Sequence, residues 1–158
     1  MKPVKPIAPD ANRIALSRLR IIWAALCLSP VLLFVVLIVM MAPKAAAVPT
    51  TDPDLVKMLH YISIGAAVVL LPLGYFLRLQ TYKKNWVVNA VSPQGYITGN
   101  LLLLALCEGV ALFTIIVTYL AGILMPFILP AIVASMTQVI NWPTGKPMEP
   151  ALMELPKR

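Results

Sequence analysis

From Leu101 to Ile140 the chain runs about forty residues with a single charged side chain, Glu108. A helix rises ~1.5 Å per residue and a bilayer's hydrocarbon core is ~30 Å thick, so about twenty apolar residues make one crossing. The run is twice that length and must hold two helices, or one helix and a buried segment. The expected break is Ala121-Gly122, followed by Pro126 and Pro130. With no charge nearby, the turn there has to be tight and shallow. Two further apolar runs precede it. One covers Ile21 to Ala42, uncharged and carrying Pro30; the other covers Leu59 to Leu77, interrupted by Pro72. The second closes on Tyr75-Phe76-Leu77-Arg78, an aromatic and basic boundary of the kind found at membrane interfaces.

Composition agrees with this pattern. Apolar residues make up 60% of the 158 and charged residues 12%, against about half and a quarter in soluble domains. The expected fold class is an all-α membrane protein of four transmembrane helices, at about 21–42, 59–77, 99–120 and 123–140. A basic segment, 1–20, precedes them and a polar tail, 141–158, follows. Ala45-Ala46-Ala47 after the first run invites comparison with a cleaved signal peptide. Signal cores are usually about 7–15 residues, however, and this run is longer, so a retained helix is expected. Asp10 can cap a helix beginning near Ala11 that leads straight into the first span. Ser92-Pro93-Gln94-Gly95 reads as a turn in the loop after the second span, and Tyr82, Trp86, Tyr96 and Trp142 read as interfacial anchors.

The formal charge of +7 does not point to nucleic acid, because the basic residues flank the apolar runs. Lys2, Lys5, Arg13, Arg18 and Arg20 precede the first span. Arg78, Lys83 and Lys84 follow the second, and Lys146, Lys157 and Arg158 lie in the tail. Only Lys44 and Lys57 of the 13 remain for the other side. The positive-inside bias then places both termini in the cytoplasm, and the short loops suit a multi-pass protein of a bacterial inner membrane. Arg78, Lys83 and Lys84 are either topogenic or a lipid-headgroup site.

Glu108 is the residue that can carry chemistry. It sits about ten residues into the third span, near the bilayer midplane, where a carboxylate costs at least ~2.5 kcal/mol on insertion scales. It therefore faces protein, water or a proton rather than lipid. It serves either as a proton or cation site or as a hydrogen-bonding link between helices. Gly109 beside it leaves room for a close helix contact. Cys27 and Cys107 read as small packing residues, and His60 as an interfacial imidazole with no second metal ligand at a recognisable spacing.

The stretch Ala105-Leu106-Cys107-Glu108-Gly109-Val110-Ala111-Leu112-Phe113, followed by Ile115-Ile116-Val117, resembles the second helix of the proteolipid (c) subunit of rotary ATP synthases. The resemblance implies that spans two and three form a hairpin with its loop in the cytoplasm, and that Glu108 carries the transported proton or sodium ion. It covers about a quarter of the chain. The glycine-rich first helix and the Arg-Gln-Pro loop of that family have no counterpart here. Without a catalytic constellation, metal spacing or phosphate-cradling loop, no cofactor and no enzyme activity are expected. Two functions are left: an accessory or assembly subunit working through helix contacts with a membrane-protein partner or a homo-oligomer, and a proteolipid-like ion-translocating subunit.

Overall fold

In a computed structural model the described residues are 9–41, 52–87 and 89–149. Lys2, Lys5, Lys44, Ala45-Ala46-Ala47, Lys157 and Arg158 lie outside them. The chain forms α1 (Pro9–Met41), α2 (Pro53–Lys84), a pair of two-residue antiparallel strands, β1 (Trp86–Val87) and β2 (Ala90–Val91), then α3 (Pro93–Ala121) and α4 (Leu129–Ile140). A 3₁₀ turn, Lys146–Met148, follows. The helices α1, α2 and α3 are each long and apolar enough to cross a membrane.

Local chemistry sets the helix ends. Asp52 accepts from the Asp54 amide at 2.9 Å, with Pro53 in the first helical position, so α2 begins well before the apolar run does. Ser92 caps α3 in the same way, accepting from the Gly95 amide at 3.1 Å with Pro93 next in line. The segment Ser92–Gly95, expected to turn, is thus a helix start: Ser-Pro is as good a cap as it is a turn. The reversal is made instead by the strand pair, where Asn89 takes a left-handed φ of 65°. At the far end Gly122 closes α3 with φ 65° and donates to the Tyr119 carbonyl, at the expected break.

The fourth expected span, 123–140, is not one continuous helix. Residues 123–128 are irregular or turn, and α4 covers 12 residues, about 18 Å at ~1.5 Å per residue. Pro130 explains the late start, since its missing N–H costs nothing in the first turn of a helix. Although α4 is short of a membrane's thickness, it still brings the chain back. Asn141 meets Arg78 at the close of α2, and Met148 accepts from Asn12 near the start of α1 at 3.1 Å. The start of α1, the end of α2, the start of α3 and residues 141–149 therefore share one end of the bundle.

Within the bundle α3 is central. α1, α2 and α4 each pack chiefly on it, and α4 also touches both of the others. The main core gathers Leu37, Leu71, Leu103, Cys107, Val110, Ala111, Ile115, Ile128, Ala131 and Ala134. A smaller core at the shared end joins Ala15, Leu19, Tyr82, Val91, Tyr96 and Met148. Residues 141–149, expected as a polar tail, thus pack inward there, with Pro143 and Met148 buried.

Two glycines separate close packing from open surface. A Cβ on Gly95 would stand 2.2 Å from the Asn85 Cβ, whereas one on Gly109 would meet nothing within 4 Å. Gly95→Ala should therefore lower stability in detergent by about 1–3 kcal/mol through overpacking. Gly109→Ala should leave it unchanged or raise it by up to ~1 kcal/mol through helix propensity. Unfolding of the two variants followed by circular dichroism checks both.

Candidate functional site

Glu108 lies half-buried on the side of α3 that meets α1. Cys27 on α1 is within electrostatic range of it and of Cys107. From α4 comes Gln138, fully buried. Its Nε2 donates to the Leu104 carbonyl at 3.3 Å, and its own backbone carbonyl accepts from Trp23 Nε1 at 2.8 Å. The Leu104 carbonyl is also the helical acceptor for the Glu108 amide. Gln138 and Glu108 therefore meet α3 on the same turn, where α1, α3 and α4 converge.

Two oxygens stand out at that junction. Oε2 of Glu108 and Oε1 of Gln138 are buried and have no hydrogen-bond donor among the described residues. The two threonines further along α3 are satisfied on their own helix: Thr114 donates to the Val110 carbonyl and Thr118 to that of Thr114, both at 2.8 Å. A buried acceptor without a donor is costly, and a proton, a water or a small cation would satisfy it.

The three basic residues after the second span separate in space. Lys83 and Lys84 are exposed in the last turn of α2. Arg78, a turn earlier, reaches inward: its Nε donates to Tyr82 Oη at 3.0 Å and its Nη1 to Asn141 Oδ1 at 2.8 Å. Tyr82 is the hinge of this network. It also accepts from Asn100 Nδ2 at 2.6 Å and stacks on Tyr96, whose hydroxyl accepts from the Gly145 amide at 3.0 Å. Asn141 in turn donates to the Tyr75 hydroxyl.

Across the same end, Arg20 lies over the Trp142 ring, 5.2 Å from its centroid, and its Nε donates to the Pro143 carbonyl at 3.3 Å. Trp142 meets Trp23 edge-on at 4.6 Å. Of the expected anchors, Trp142 and Trp86 are exposed, while Tyr82 and Tyr96 are buried.

His60 is far from these groups in the fold, its ring 4.4 Å from that of Phe127 in the loop before α4. Among the described residues no three His, Cys, Asp or Glu side chains gather as a metal site. Sequence reasoning missed Gln138, Asn100 and Asn141, and read Tyr82 only as an interfacial anchor and Arg20 only as a flanking charge. Gln138 did carry a signal, as the one amide in an otherwise apolar run. Compared with protein families, with curated proteins and with solved structures, the chain finds no match.

Tyr82→Phe strands two donors, Arg78 Nε and Asn100 Nδ2. It should cost about 1–3 kcal/mol of stability in detergent. Tyr61→Phe, on a residue 72% exposed, should stay within ~0.5 kcal/mol of the parent.

Proposed function

We propose that the chain is an integral membrane subunit that works through helix contacts, seating a transmembrane helix of a partner protein in the groove between α1 and α2. The observation that carries this reading is the uncovered face of α3. Leu102, Ala105, Gly109 and Ile116 are all exposed there, because α1 and α2 pack on either side of α3 and make no substantial contact with each other. Trp23 bonds the Gln138 carbonyl and Gln138 bonds that of Leu104, which brings this part of α1 alongside the stretch of α3 that holds Ala105 and Gly109. Ala25 and Ser29 line the groove that runs along α1 to Leu112. The α1 wall and the α3 floor thus each offer a pair of small residues four apart. Association between helices in lipid depends on close packing, and such pairs are what let backbones approach.

The same reading puts both termini on the cytoplasmic side of a bacterial inner membrane. It is supported by the charges of the bundle's two ends. Arg13, Arg18, Arg20, Arg78, Lys83, Lys84 and Lys146 gather at the end shared by the start of α1 and residues 141–149. At the other end Lys57 pairs with Asp54 at 3.4 Å. In this arrangement α1, α2 and α3 are full crossings, and α4 with residues 122–128 completes the return. A photo-crosslinking residue at position 116 in native membranes should give one discrete protein adduct, which Ala105→Leu with Gly109→Leu abolishes. The same residue at exposed position 68 should give none. Lipid adducts alone at position 116 would refute the reading.

A second reading, a proton- or cation-translocating subunit, is favoured by the two unpartnered oxygens of Glu108 and Gln138. A hydrophobic carbodiimide applied to native membranes should then modify Glu108, with sodium or a partner protecting it, and Glu108→Gln should remove the adduct. An unmodified Glu108 in intact protein would mean a sealed helix seam and end this reading.

A further inference from the structure

We propose that the basic end of the bundle binds the phosphate of an anionic phospholipid, gripped by Arg20 and Arg78 on either side of residues 141–143. Both guanidinium groups are held in place, and both are held by neutral groups. Arg20 rests on the Trp142 ring and the Pro143 carbonyl; Arg78 rests on Tyr82, over whose ring it lies at 5.3 Å, and on Asn141. The single ion pair among the described residues, Lys57 with Asp54, is at the opposite end. Neither arginine has an ion-pair partner among the described residues. A guanidinium has five N–H donors. Arg20 uses one of them and Arg78 two on the contacts above, which leaves donors for a phosphate in the paired geometry that arginine favours.

The surroundings select a lipid as the source of that phosphate. Exposed apolar side chains follow each arginine in the chain, Ile21 at 71% exposed and Leu79 at 57%, and Ile140, 79% exposed, precedes the Asn141 that Arg78 bonds. Trp142, 45% exposed, marks the level at which headgroup and acyl region meet. A free anion would use the guanidinium groups and leave this skirt bare, whereas a phospholipid uses both, its phosphate on the arginines and its chains along the apolar surface. Lys83 and Lys84, unheld and exposed, add attraction toward an anionic surface without forming the site.

The test is native mass spectrometry of the full chain released from nanodiscs of phosphatidylcholine containing a minority of phosphatidylglycerol. The parent should retain phosphatidylglycerol over phosphatidylcholine. Arg20→Gln with Arg78→Gln should reduce that preference by about tenfold or more, as expected for losing two charge-assisted contacts. Lys83→Gln with Lys84→Gln should keep most of it. Arg20→Gln alone, which leaves the Tyr82 network intact, should show a partial loss even if the double variant fails to fold. Unchanged lipid preference in Arg20→Gln, or an equal loss in the lysine variant, would overturn the site. So would displacement of the lipid by inorganic phosphate, which would make it a site for free anions.

Discussion

An apolar surrounding offers no partner for a backbone N–H or C=O, and this constraint shapes nearly everything in the chain. Long helices close their own bonds, and the polar side chains inside them do the same. Ser63 donates to the His60 carbonyl, Thr114 to Val110, Thr118 to Thr114 and Thr137 to Val133, each bond staying within one helix. What holds the helices to one another is therefore shape, with α3 as the shared surface. Hydrogen bonds between helices appear where the chain nears the polar end, through Trp23 and Gln138, then Arg78, Asn100 and Asn141. The rule of internal satisfaction is left incomplete at the junction of Glu108 and Gln138, and again at His60 Nδ1, which is buried without a hydrogen-bond partner among the described residues.

That contrast bears on how the two ends of the molecule differ. At the shared end, aromatic hydroxyls and amides form a continuous network that ties α2, α3 and residues 141–149 together. At the other end α1 is largely bare, and the loop of residues 122–128 contributes Ile128 to the core and Phe127 to a ring contact with His60. Hydrogen bonds between elements are concentrated at the shared end. In the middle of the bundle, small residues set the spacing.

Much of this was legible in the residues. Long uncharged runs give helices directly, because length and hydropathy suffice, and Gly122 declared the end of α3 because only a glycine enters the left-handed region at no cost. The central glutamate was equally plain, since one charge in forty apolar residues has few reasons to be there. The length of α4 was harder to read. Pro126 and Pro130 each fit inside or before a helix, and only the packing of residues 123–128 against α2 and α3 decided between them. The inward fold of residues 141–149 was hidden as well. A segment reading Trp-Pro-Thr-Gly-Lys-Pro looks solvated, and its attachment rests on single hydrogen bonds with distant residues, Tyr96 accepting from the Gly145 amide and Arg20 donating to the Pro143 carbonyl. Arg78 was grouped with Lys83 and Lys84 by proximity in the chain, although one helical turn was enough to aim it at a different neighbour.

The gathering of charge at one end has a further consequence once the protein sits in an energised membrane. Among the described residues that end carries seven cations against two acids, Asp10 and Glu149. An elementary charge moved across the bilayer changes energy by ~2.3 kcal/mol per 100 mV. Carrying the whole end to the positive side would therefore cost on the order of 10 kcal/mol from the field alone, before any desolvation. In a membrane that carries a potential, that cost would act as a latch, favouring the insertion with the basic end on the negative face and opposing inversion.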